Sequence, residues 1–159
     1  MAYVLFLIPN PRAALKEVRR VLRPGGAIGI VTWGEPLIEL PGAAIWQRAL
    51  DTYGAASDGT PQAVNQEALM NTVDKLGELL ESARLRPDQL WTGYLERWWT
   101  RSELVAFAVT YGATRRRLIT LPIDAREACI ERVREELAVL PDATLLYRPQ
   151  VVFGLARAA

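Results

Sequence analysis

Asn10-Pro-Arg-Ala-Ala-Leu-Lys-Glu-Val-Arg-Arg-Val-Leu-Arg-Pro-Gly-Gly26, followed by Ala27-Ile-Gly-Ile-Val-Thr32, is the stretch on which the fold turns. Asn10 can accept the free amides of a helix start, and Pro11 brings a backbone angle suited to the first helical position. Ala14, Leu15, Val18, Val21 and Leu22 then recur at helical spacing, with Arg12, Lys16, Glu17, Arg19 and Arg20 on the other faces. Arg23-Pro-Gly-Gly26 stops the helix. Ala27 to Thr32 is continuous, apolar and β-rich, as in a strand covered on both faces of a parallel sheet. Upstream, Met1 to Ile8 is apolar and ends at Pro9-Asn-Pro11, which reads as a strand running into a turn. The opening is therefore a strand–helix–strand crossover of an α/β fold.

Further along, a helix is expected from Gly42 to Tyr53, with Trp46, Ala49, Leu50 and Tyr53 on one stripe. Residues 55–66 read as a mobile loop. Val73, Leu76, Leu80 and Ala83 mark another helix, and residues 88–99 read as an aromatic-rich strand. Thr100 and Glu103 have the spacing of a capping box ahead of Leu104, Phe107, Ala108 and Tyr111. Asp124 and Glu127 open a last helix with Ile130, Val133 and Leu137 inward, and Gln150 to Ala156 closes as a strand. No repeat or linker divides the chain, so one domain over 1–159 is expected, in three segments: 1–34 (strand–helix–strand), 35–72 (helical and loop insertion) and 73–159 (carboxyl-terminal helices and closing strands).

Composition removes much chemistry. The 159 residues include no histidine, which excludes Ser–His and Cys–His catalytic pairs and His-ligated metals. Cys129 is the single cysteine, so there is no intramolecular disulfide and no multi-thiolate metal site; none is expected. A net charge of +1 gives no footprint for nucleic acid or anionic lipid. With no run long enough to span a bilayer and no signal-peptide pattern, the expectation is a cytoplasmic protein with no membrane partner.

Few motifs point to a site. Arg23-Pro-Gly-Gly26 follows a helix and precedes a strand, the reverse of a phosphate cradle, so it reads as a turn. Arg115-Arg-Arg117 reads as a solvated, salt-bridged run, Cys129 as a packed thiol, and Glu35 and Glu39 as solvated loop carboxylates. Trp33 lies just beyond the carboxyl end of a predicted central strand, where open α/β sheets place ligands, and Tyr3 and Phe6 belong to the same rim.

Val4 to Gly34 resembles class I S-adenosylmethionine-dependent methyltransferases of the ubiquinone/menaquinone-biosynthesis type (methyltransferase type 11-like). In that family an apolar strand four and a short turn lead into a helix, then R-V-L-R-P-G-G into strand five. Leu79-Leu-Glu-Ser-Ala-Arg-Leu85 resembles the family's L-L-E-x-A-G-F before strand six, with Arg84 in place of glycine. Trp98 to Glu103 resembles the lead into a substrate-side insertion, and Gln150 to Arg157 the closing strand seven.

The resemblance implies a partial Rossmann-like methyltransferase sheet, equivalent to strands four to seven, with flanking helices and a substrate-side helical insertion. It also implies S-adenosylmethionine as the family's cofactor. The glycine loop after strand one and the acidic end of strand two, which hold that cofactor, would precede Met1. Three βα units of about 30 residues or more come to roughly 100 residues. Only a rim carries over: Ala2 and Tyr3 for the cofactor, with Phe6, Leu7, Trp33 and Trp46 toward a substrate. The chain alone is then expected to bind the cofactor weakly and to be inactive. It would pair with a second copy, as a homodimer with strands or helices exchanged, or with the missing amino-terminal half. The alternatives are a non-catalytic self-associating module and a hydrophobic small-ligand binder.

Overall fold

The computed structural model describes residues 1–57 and 66–158. Among them are six α-helices and five strands, a mixed α/β arrangement. Most of the expected 55–66 loop lies outside the described residues. The three expected segments do not coincide with the units that form. One unit takes residues 1–38, 66–95 and 148–158; the other takes 39–57 and 96–147.

The first unit holds α1 (Pro11–Val21), β1 (Ala27–Trp33), α3 (Val73–Ser82), β2 (Leu85–Tyr94) and β5 (Gln150–Ala158). Asn10 caps α1, its Oδ1 accepting from the Ala13 N–H at 2.9 Å. Pro24 and Gly25 form the middle of a turn closed by the Gly26 N–H to the Arg23 carbonyl, with Gly25 at φ +71°. That left-handed angle is what glycine supplies at no steric cost.

The sheet order is β1-β5-β2, and β5 runs antiparallel to both neighbours. This corrects the expected parallel strand covered on both faces. Along β1 only Ile28, Ile30 and Thr32 are buried, alternating with exposed Ala27 and Gly29 and half-buried Val31 and Trp33. Ala27 and Gly29 read as apolar by composition, yet they occupy the outer face and hide a period of two. The inner face packs on α1 and α3 through Ile30, Val152, Ala156, Leu15, Leu76 and Leu80. A Cβ on Gly154 would meet Leu76 at 2.9 Å and Leu90 at 3.1 Å, so glycine lets α3 and β2 close over the central strand.

The expected first strand does not form. What survives is one parallel bridge, Ala2 to Val31, in which Val31 N–H donates to Met1 O and Tyr3 N–H to Val31 O, both at 2.9 Å. Tyr3 has φ +53°, which ends the extension, and Leu5–Leu7 turn as a 3-10 helix. The turn buries consecutive Leu5 and Phe6 in the same core, a placement that the alternating faces of a strand forbid. The expected strand 88–99 starts earlier, as β2, and is followed separately by β3.

The second unit contains α2 (Ala43–Thr52), β3 (Arg97–Trp98), α4 (Arg101–Thr110), α5 (Gly112–Leu118), α6 (Ile123–Ala138) and β4 (Leu146–Tyr147), with β3 and β4 paired antiparallel. Its core gathers Trp46, Leu50, Trp99, Leu104, Cys129 and Val133. On α6, Val133 and Leu137 are inward as expected, joined by Cys129 rather than by half-buried Ile130. On α4 the buried stripe is Leu104, Val105 and Ala108, while Phe107 and Tyr111 stay exposed and touch as a ring pair. Helix α5 was not anticipated, because Gly112-Ala-Thr-Arg-Arg-Arg-Leu118 buries only Leu118 and so shows no stripe.

The capping box is present. Glu103 N–H donates to Thr100 Oγ1 at 3.2 Å, and Thr100 N–H donates to Glu103 Oε2 at 2.8 Å. That backbone donor, then the Thr100 hydroxyl and the Arg97 guanidinium, hold the Glu103 carboxyl below its ordinary range. A lowered folded pKa stabilises above the ordinary glutamate value and is lost as pH falls through the lowered one. Thermal melts of Glu103→Gln should therefore lose less stability than the parent on acidification below about pH 4.

Candidate functional site

The rim expected from the sequence is partly assembled. The Tyr3 and Trp33 rings meet at 4.3 Å between centroids, tilted by 36°. Each contributes to the other's cover, and burial pushes the Tyr3 phenol up from its usual value. Phe6 is buried in the sheet-side core, against which Tyr3 and Trp33 also pack. Leu7 and Ala2 are exposed. Trp46 is buried in the core of the second unit, and its Nε1 has no hydrogen-bond partner among the described residues.

The Tyr3 N–H is committed to Val31 O, and one face of the Tyr3 ring is turned to Trp33. Glu35 is no free base: its Oε2 accepts from Asn71 Nδ2 at 2.8 Å and lies 3.6 Å from Lys75 Nζ. Cys129 is fully buried and its thiol pKa is raised by that burial, so it stays protonated and packed. Among the described residues, no cluster of three acidic or thiol ligands is placed to hold a metal. None of their helices is long and apolar enough to cross a membrane.

Two cavities stand out, one in each unit. In the first, about 640 Å³ opens beside the start of α1, between Asn10, Arg12, Gln66, Lys75 and Glu78. In the second, about 550 Å³ lies between α4 and α6, with a lining that is mostly apolar.

The triple-arginine run divides. Arg115 and Arg116 are exposed, but the Arg117 side chain is only 15% accessible. It donates to Gln47 Oε1 at 2.7 Å, to Asp51 Oδ1, and to the carbonyls of Ala55 and Ala56. It ties α5 to α2 and to the chain that follows, where a solvated side chain was expected. A planar guanidinium serves four acceptors at once, and nothing in the local sequence distinguishes it from its two neighbours.

No protein-family model matches the chain, and no curated protein matches it. Among solved structures, it is similar to a Bacillus halodurans C-125 protein described as a "putative methyltransferase". The identity is 14%, the TM-score 0.45, and the overlap covers 99% of this chain and 67% of that one. So loose an overlap assigns no function to this chain.

Arg117→Ala should cost about 2 kcal/mol, because it strips four charge-assisted bonds at once, one of them from the buried Ala55 carbonyl, and Arg117→Lys should restore little of it. Arg115→Ala should stay within about 0.5 kcal/mol. Urea unfolding of the three variants checks the difference.

Proposed function

We propose that the chain is a methyltransferase-family domain built from the elements after strand four, and that these residues alone do not hold S-adenosylmethionine. The observation that carries this is the Ala2–Val31 bridge. It keeps the start of the chain parallel to β1 with α1 crossing between them, so the strand–helix–strand order survives even where the first strand has shrunk to one pair. On this reading α1, β1, α3, β2 and β5 stand for the helix before strand five, strand five, the helix before strand six, strand six and strand seven. The mixed α/β unit supports that assignment. The Tyr3–Trp33 rim supports the statement about the cofactor, because one face of each ring and the Tyr3 amide are already engaged within the chain.

Two measurements test this. The amides of Tyr3 and Val31 should resist hydrogen exchange; free exchange at both would remove the crossover and with it the family reading. Calorimetric titration with S-adenosylmethionine should show no micromolar binding, and a micromolar Kd would overturn the cofactor statement while leaving the fold assignment intact.

A second reading, self-association, is favoured by the edge of the sheet. That edge is not Tyr3 to Ile8, as expected, but β2. Leu95 N–H donates to Pro149 O, so from Gln89 onward the odd-numbered residues of β2 face β5, and Leu90, Thr92 and Tyr94 turn their backbone groups outward. Arg86, Pro87, Asp88 and a register shift guard the start of the strand. Gln89 to Tyr94 carries no charge, and Trp91 and Tyr94 are 42% and 58% exposed. Light scattering should show a dimer at micromolar concentration that Thr92→Pro converts to monomer, since proline cannot donate across a paired edge.

A further inference from the structure

The cavity between α4 and α6 belongs to neither reading. On α4 it is lined by Ser102, Val105, Ala106 and Val109, and on α6 by Ile130, Arg134 and Leu137, together with Ala138. Both sets fall at the spacing of one helical face. Val105 and Leu137 form its floor, and both are buried. Ser102, Ala106 and Ala138 are small, which leaves the space between the helices unfilled. From Ser102 to Val109 the slot runs about two turns, or about 10 Å at 1.5 Å per residue. Its volume, about 550 Å³, lies in the range of small-ligand sites.

Among the described residues the charged groups lining it are both arginines, and Glu131 lies beside Arg134 at its edge. Arg101 is occupied. Its Nε donates to Leu137 O at 2.9 Å, and its Nη2 donates to Leu140 O and to Asp142 Oδ1, so it closes one end of the slot by capping α6. Arg134 pairs with Glu131 at 2.9 Å, in an exposed ion pair whose side chains are 58% and 62% accessible. Such a pair is weak and exchanges its partner readily. A planar guanidinium matches a carboxylate in a two-point fork.

We propose that the α4–α6 slot binds an unbranched fatty carboxylate of medium length, its chain between Val105, Ala106, Val109 and Ile130 and its head group on Arg134. The apolar walls supply the affinity, and the exchangeable guanidinium of Arg134, part-way along the slot, holds the carboxylate at the surface.

Titration of decanoate into the full chain, followed by calorimetry, tests this. One saturable site is expected. Arg134→Gln should weaken binding by at least about tenfold, the worth of one charge-assisted pair. Arg115→Gln, on the exposed run of α5, should leave it unchanged. Ala106→Trp fills the slot and should abolish binding; Ala138→Phe does the same from the other helix should the first variant fail to fold. Absence of saturable binding at millimolar decanoate would overturn the proposal. So would decanol binding as tightly as decanoate, decyl phosphate binding more tightly, equal weakening by Arg115→Gln, or survival of binding in the slot-filling variants.

Discussion

The backbone ladder of β5 is the constraint on which the first unit depends. Residues 150, 152, 154, 156 and 158 turn their amides and carbonyls toward β1, and the residues between them turn theirs toward β2. No direct pairing joins β1 to β2, so both strands owe their place to one segment distant from them in sequence. The same strand delivers Val152 and Ala156 to the core over α1 and α3, and it needs glycine at 154 because Leu76 and Leu90 close on it there. A side chain at 154 would push out α3 or β2 and so unseat the pairing itself.

The second unit is held differently. Its helices converge on Trp46, Trp99, Cys129 and Val133, and its polar anchors are guanidiniums that end on backbone carbonyls. Arg117 gathers the chain after α2, Arg101 caps the end of α6, and Arg126 reaches the carbonyls of Leu118, Ile119 and Leu121. Carbonyls at helix ends lack partners within the helix, and an arginine fork satisfies two or three at once. The arginine-rich composition therefore has a structural use in this unit.

How much was legible depended on whether the signal was local. The start of α1 at Asn10-Pro11, the turn at Arg23 to Gly26 and the capping box at Thr100 each write their geometry in four residues or fewer, and each formed as read. Sheet direction was not local. Ala27 and Gly29 made β1 look uniformly apolar, and only its pairing with β5 shows which face they take. The first eight residues have the composition of a strand, but burying both Leu5 and Phe6 outweighed it. Arg117 matches Arg115 and Arg116 in type and differs from them by which way α5 presents it. The candidate rim was legible as a Tyr3–Trp33 neighbourhood, whereas the burial of Phe6 and Trp46 follows from cores that no short window of sequence displays. The α4–α6 slot was invisible for a related reason: small residues in a helix signal nothing until a second helix faces them.

The position of β5 also has a consequence for how the polypeptide acquires its shape. During synthesis β1 and β2 leave the ribosome long before Gln150, so the sheet waits unpaired while the whole of the stretch from Glu96 to Tyr147 is made. That stretch has mostly local helical contacts and needs no strand from the sheet for its β3–β4 pair. Helices α4 to α6 can therefore settle first, and the apolar strands stay available to chaperones, or to other nascent chains, until the last long-range pairing is made.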